Sequence, residues 1–201
     1  KENPGLPRLQ KTEEFFMDRN MITPAAHAKA AMTFRNSRFN LLLLVAFTLV
    51  NIIFVITKSD LYFLFSATVP YYLAVYGLFW TGHLPDAVPE GQKIDILPDS
   101  FLVVMLVIAA VILLLYLLFF FLSKKHPAFL IAALVFFAID CIYMLYTVFS
   151  TGFEVSSLID IAFHGWVLYY LISGVIASRK LKLPVMPIEE AVAGTEGQNR
   201  Q

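Results

Sequence analysis

Four polar side chains interrupt otherwise apolar runs of this sequence: Asn51 in "TLVNIIF", Asp140 in "FFAIDCIYM", and Asp160 with His164 in "LIDIAFHGW". An ionisable group in hydrocarbon is costly unless it is paired or hydrated, so each marks a place where chemistry is worth seeking. A carboxylate beside an imidazole suits a proton or cation site: the first carboxylate holds the ring in one tautomer and a second completes a cage. The same residue types also serve as hydrogen-bonded pairs that fix helix packing. Both readings stay open at this point, and Asn51 fits interhelical bonding better than ligation.

The elements that would position these groups can be read from spacing. Asp140 and His164 flank the short connection "STGFEVSS", each about ten residues from it. So short a link makes the two helices antiparallel neighbours, which brings Asp140 and His164 to one depth near the membrane centre. Asp160, one turn from His164 on the same helix face, is placed to join them and lies nearer the outer end.

Hydrophobic residues make up 59% of the 201 residues and charged residues only 15%. With a strongly positive mean hydropathy, this is the composition of an integral membrane protein. Fifteen basic residues balance fifteen acidic ones, so no net field would draw nucleic acid. The single Cys141 excludes an internal disulfide and a cysteine-rich metal site, and is read as a small buried thiol. No signal peptide is expected, because residues 1–38 are polar and basic.

Apolar runs at 39–57, 101–122, 128–149 and 158–178 are each long enough to cross about 30 Å of hydrocarbon. The segment 61–82, "LYFLFSATVPYYLAVYGLFWTG", is also long enough but is interrupted by Ser66, Thr68 and Pro70. Charge decides between its readings. Five crossings divide Lys and Arg eight inside and seven outside, whereas four crossings with a Pro70-broken hairpin at the outer face divide them thirteen to two. The expectation is therefore an all-α polytopic transmembrane bundle, four spans plus a proline-broken re-entrant or fifth segment, with both termini cytoplasmic.

Residues 1–38 form a basic cytoplasmic region, 39–182 the transmembrane domain and 183–201 a disordered tail. In the first region "TEEFFMDRN" suits a short helix. Thr23-Pro24 is a good helix start, and "AAHAKAAMTFRNSRF" reads as an interfacial helix that sets Lys29, Arg35 and Arg38 near anionic head groups. The loop 83–100, with Asp86, Glu90, Asp95 and Asp99, lacks the spacing of a calcium loop and reads as a solvated connector whose Asp99 or Ser100 caps the next helix. Trp80, Tyr143 and Tyr146 suit an outer interface belt. Ser173 with Ala177, or Gly174 with Ser178, offers a small-residue packing face.

Enzyme signatures are missing: there is no glycine-rich phosphate loop, HExxH, GxSxG or paired CxxC, and "EEFFMDR" misses the EExxxR helix of intramembrane prenyl-protein endopeptidases by one residue. No catalytic residue, cofactor or metal is expected.

The stretches "FLFSATVPYYLAVYG", "DSFLVVMLVIAAVILLLYLL" and "LIDIAFHGWVLYYLISGVIA" together resemble a group of small multi-span membrane proteins of Gram-positive, clostridia-like bacteria whose function is not known to us. The resemblance covers roughly residues 36 to 182. It implies a bacterial plasma membrane and carries over no site residue. "KENPG" is similar to the stretch immediately after a CxxCGK zinc ribbon in many bacterial membrane proteins, whose cysteines this chain lacks. The leading expectation is a non-enzymatic scaffold or accessory subunit that meets the lipid bilayer and a membrane-protein partner or a second copy of itself. The alternative is a small proton- or cation-coupled transporter or channel built on Asp140 and His164.

Overall fold

A computed structural model describes residues 21–59, 66–85, 95–153 and 155–187 of the chain. They form five α-helices: α1 (Pro24–Ile56), α2 (Thr68–Trp80), α3 (Asp99–Leu122), α4 (Ala128–Thr151) and α5 (Val155–Lys180). Four of these, all but α2, are long and apolar enough to cross a membrane. The protein is an all-helical integral membrane protein. The "TEEFFMDRN" stretch, the tip of the 83–100 loop and residues 188–201 of the C-terminal tail lie outside the described residues, whereas residues 183–187, expected to be disordered, are described.

Helix α1 begins as Thr23-Pro24 predicts: Thr23 Oγ1 accepts the Ala26 N–H at 3.3 Å, and Pro24 occupies the first helical position. It then runs 33 residues without a break, so the interfacial helix and the first span are one element. No proline or glycine after Pro24 stops it. The start of α3 differs from expectation, because Asp99 does not cap it. Pro98 holds the cap position without a side-chain bond, and Asp99 instead pairs with His83 at 3.1 Å.

By contact the chain divides into two compact units, residues 37–172 and residues 1–36 with 173–201. In the smaller unit the strand-like residues before α1 and after α5 pair. The Ile22 N–H donates to Pro184 O and the Met186 N–H to Ile22 O, both at 2.9 Å, and Gly174, Ala177 and Ser178 are buried there.

In the larger unit the core is made by Leu41, Leu44, Tyr116, Leu130, Phe137, Val167 and Leu171. Outward-facing Val107, Leu114, Ile142 and Phe149 are more than half exposed. An apolar surface of this kind is stable against lipid tails, not against water. The α3–α4 turn is short, and Tyr116 packs edge-on against Phe136 at 5.2 Å across it.

The depth of α2 is set by two ties. Arg38, in the first half of α1, donates to Ser123 Oγ and Phe120 O at the end of α3 (2.8 and 2.7 Å), so α1 and α3 are antiparallel. Thr48, midway along the apolar 39–57 run of α1, accepts the Ala67 N–H just before α2 at 2.8 Å. Helix α2 therefore starts at mid-depth and leaves on the side where α1 ends and α3 begins. Its 13 residues span only about 20 Å at 1.5 Å per residue, too few to cross. Among the described residues, then, four helices are long enough to cross and α2 is not.

Helix α2 is held closely against α3 through Gly77. A Cβ there would lie 2.9 Å from Leu102 Cδ1 and 3.2 Å from Met105 Cβ. The turn from α4 to α5 depends on Gly152 at φ +102°, a conformation other residues rarely adopt.

Candidate functional site

The first turn of any α-helix leaves four backbone N–H groups without partners in the helix itself. At the start of α2 this would be ruinous, since Ala67 and Thr68 are buried at mid-membrane depth. Each position is nevertheless accounted for. The Ala67 N–H donates to Thr48 Oγ1 at 2.8 Å, whose own hydroxyl donates to Leu44 O at 2.7 Å. The Thr68 N–H donates to Asp140 Oδ2 at 2.9 Å and the Val69 N–H to Asp140 Oδ1 at 2.8 Å. Pro70 has no N–H to satisfy.

Asp140 thus caps a helix to which it does not belong, with one carboxylate oxygen on each of two successive amides. The positive end of the α2 dipole faces the carboxylate, as at a helix N-terminus that binds an anion. Here the anion is the protein's own side chain.

His164 closes the cluster from α5. Its Nδ1 lies 2.8 Å from Asp160 O, and a carbonyl only accepts, so Nδ1 carries hydrogen. Its Nε2 lies 3.1 Å from Thr68 Oγ1 and 3.3 Å from Asp140 Oδ2. As a neutral ring it accepts from the Thr68 hydroxyl; as an imidazolium it donates to Asp140 and Thr68. These two states differ by one proton, and the hydroxyl serves both. The ring is clamped by Phe137, stacked at 5.4 Å and 9°, and by Phe163, edge-on at 5.9 Å. Asp140 is 3% exposed and His164 2%.

Of the residues singled out from sequence, Asp140 and His164 meet across the α4–α5 hairpin. Asp160 joins through its backbone carbonyl, which fixes the His164 tautomer, while its partly buried carboxylate acts on His164 through charge. Asn51 is buried on α1 one turn beyond Thr48, whose hydroxyl reaches the start of α2. Sequence reasoning passes over Thr48 and takes Thr68 only as an interruption of the apolar run. A signal for Thr68 is present: a threonine two residues before a proline reads as a helix start as readily as a break.

An apolar groove of about 430 Å³ lies between α1 and α5, lined by Leu43, Phe47, Ile159, Ala162, Phe163 and Trp166. Neither Asp140 nor His164 lines it. Among the described residues no three metal-ligating side chains converge. In comparisons with known proteins, the chain matches no protein-family model, no curated sequence and no solved structure.

Proposed function

We propose that this integral membrane protein is a non-enzymatic scaffold or accessory subunit of a bacterial plasma membrane, working through protein partners with both termini in the cytoplasm. One observation carries the reading: the most chemically capable group, Asp140, has both oxygens committed to backbone amides and is sealed from solvent. A carboxylate used this way holds a half-helix in place and has no room for a substrate. The thirteen-to-two division of basic residues supports the cytoplasmic ends.

A second reading, proton- or cation-coupled transport, draws on the half-helix itself, because broken helices ending at mid-depth often build transport sites. One experiment separates the two. Reconstituted in liposomes with a pH-sensitive interior dye, the protein is expected to pass no proton or monovalent-cation current above empty vesicles, while cross-linking in the native membrane captures a protein partner. Flux that disappears in Asp140→Asn would overturn the scaffold reading.

A further inference from the structure

At mid-span the outward faces of α1, α3 and α4 are aliphatic, as lipid tails require: Leu49 on α1, Val111 and Leu114 on α3 and Ile139 on α4 are exposed. Helix α5 differs. It is the least apolar of the four membrane-length helices, and on its outward face Tyr169 is 66% exposed. Tyr169 stands eleven residues into the apolar run 158–178 and nine before its end, about 13–17 Å from either edge at 1.5 Å per residue. Side chains on a helix lean toward its N-terminus, so the hydroxyl lies over the turn of Gly165, at the depth of His164 and far from the head groups. The ring meets Tyr170 edge-on at 5.5 Å, and among the described residues the hydroxyl has no hydrogen-bond partner. Membrane tyrosines usually place that group in the interfacial belt, where water or head groups answer it. In hydrocarbon an unmet hydroxyl costs free energy.

The same face is open beside it. Leu158, Ala162, Gly165, Tyr169 and Ile172 are exposed in succession at spacings of four and three, the seam along which two helices cross at about 20°. A Cβ built on Gly165 would meet nothing within 4 Å, so a second backbone can come close there. Whatever packs on this face must be apolar along most of its length and bring one polar group to the depth of the Tyr169 hydroxyl. A lipid tail supplies the first and not the second. A second copy of this chain supplies both. Copies inserted the same way round are related by a two-fold axis along the membrane normal, so their α5 helices run parallel and equal positions meet. A hydroxyl both donates and accepts, so two Tyr169 side chains satisfy each other. Their rings, leaning toward the N-terminus, fill the level where both copies have glycine. The face is complementary to itself, with bulk and gap one turn apart.

We propose that α5 is the interface of a parallel homodimer, with Gly165 at the crossing and the two Tyr169 hydroxyls bonded to each other. The interface is separate from the Asp140 cluster and does not rest on the scaffold reading, because dimerisation and ion flux are measured independently.

The test is the dimer fraction of the fluorescently labelled full chain in phosphatidylglycerol–phosphatidylcholine bilayers, counted by single-molecule photobleaching as protein density is raised. The wild type is expected to dimerise, and Tyr169→Phe to weaken the dimer about three- to tenfold, the range for one hydrogen bond between membrane helices. Gly165→Leu, which holds the backbones apart, is expected to weaken it by more than about tenfold. Both variants should unfold at the wild-type temperature as monomers in detergent, since Tyr169→Phe keeps the ring and the space beside Gly165 is open. That separates a pairing role from misfolding. In a Cys141→Ala background, Ala162→Cys is expected to form a disulfide between copies on oxidation in the membrane, and Val111→Cys on α3 to form none. A chain that stays monomeric at every density would overturn the proposal, as would a dimer indifferent to both Tyr169→Phe and Gly165→Leu. So would a photoreactive Tyr169→benzoylphenylalanine that joins only to a different protein in the native membrane, which would make α5 a face for another chain.

Discussion

The two polar sets of the larger unit differ in how far the chain finishes them. At mid-depth, Thr48 and Asp140 meet every N–H that the start of α2 exposes, and the carboxylate is matched by a helix dipole and the His164 imidazole. At the head-group level, donors outnumber acceptors: Arg38 has no carboxylate, and Ser37 and Asn40 keep buried atoms without a bond among the described residues. Ionisable residues in a membrane helix are often taken as a working site, yet here the deeper, more costly set is internally complete. It is the shallow set, made of ordinary interfacial residues, that keeps buried polar atoms without a bond among the described residues.

That contrast can be broken by substitution. The largest effect is expected at Asp140→Leu, which strips the Thr68 and Val69 amides of their acceptor and leaves His164 facing an apolar side chain. It should cost about 3–5 kcal/mol in detergent unfolding, the usual result of removing one partner from a buried pair. A loss under about 1 kcal/mol would mean that the cap contributes little. Next, Thr48→Val keeps shape but leaves the Ala67 N–H unmet, for about 1–3 kcal/mol. Gly77→Ala should then cost about 1–2 kcal/mol, because Leu102 can yield at its tip while Met105 Cβ must move. Smallest and of opposite sign, Ser37→Ala in lipid-free detergent should be neutral or stabilising by up to about 1 kcal/mol, since it removes a buried atom that has no partner. If Ser37→Ala and Thr48→Val cost the same, the two sets are not different in kind.

Much of this is legible in the sequence. The four membrane-length helices can be read from the apolar runs, and the meeting of Asp140 with His164 from the shortness of "STGFEVSS", because a tight hairpin sets equal depths on both arms. The third party stays hidden. Pro70 reads as an interruption because proline removes a helical hydrogen bond, whereas in a first turn the missing N–H is an advantage. Thr48 gives no sign because a membrane threonine usually bonds back to its own helix, as its hydroxyl also does here. The Arg38–Ser123 bond joins residues 85 apart, a separation that periodicity does not reach. Asp160 draws attention through its charge and contributes through its carbonyl, which every residue has.

The most direct test of the central claim, that Asp140 is spent on holding the start of α2, is backbone hydrogen exchange at Thr68 and Val69. In the wild-type protein in lipid nanodiscs both amides should be protected as strongly as those in the middle of α4, and in Asp140→Leu both should exchange rapidly. Fast exchange at these two positions in the wild type, or protection that survives the substitution, would contradict the account.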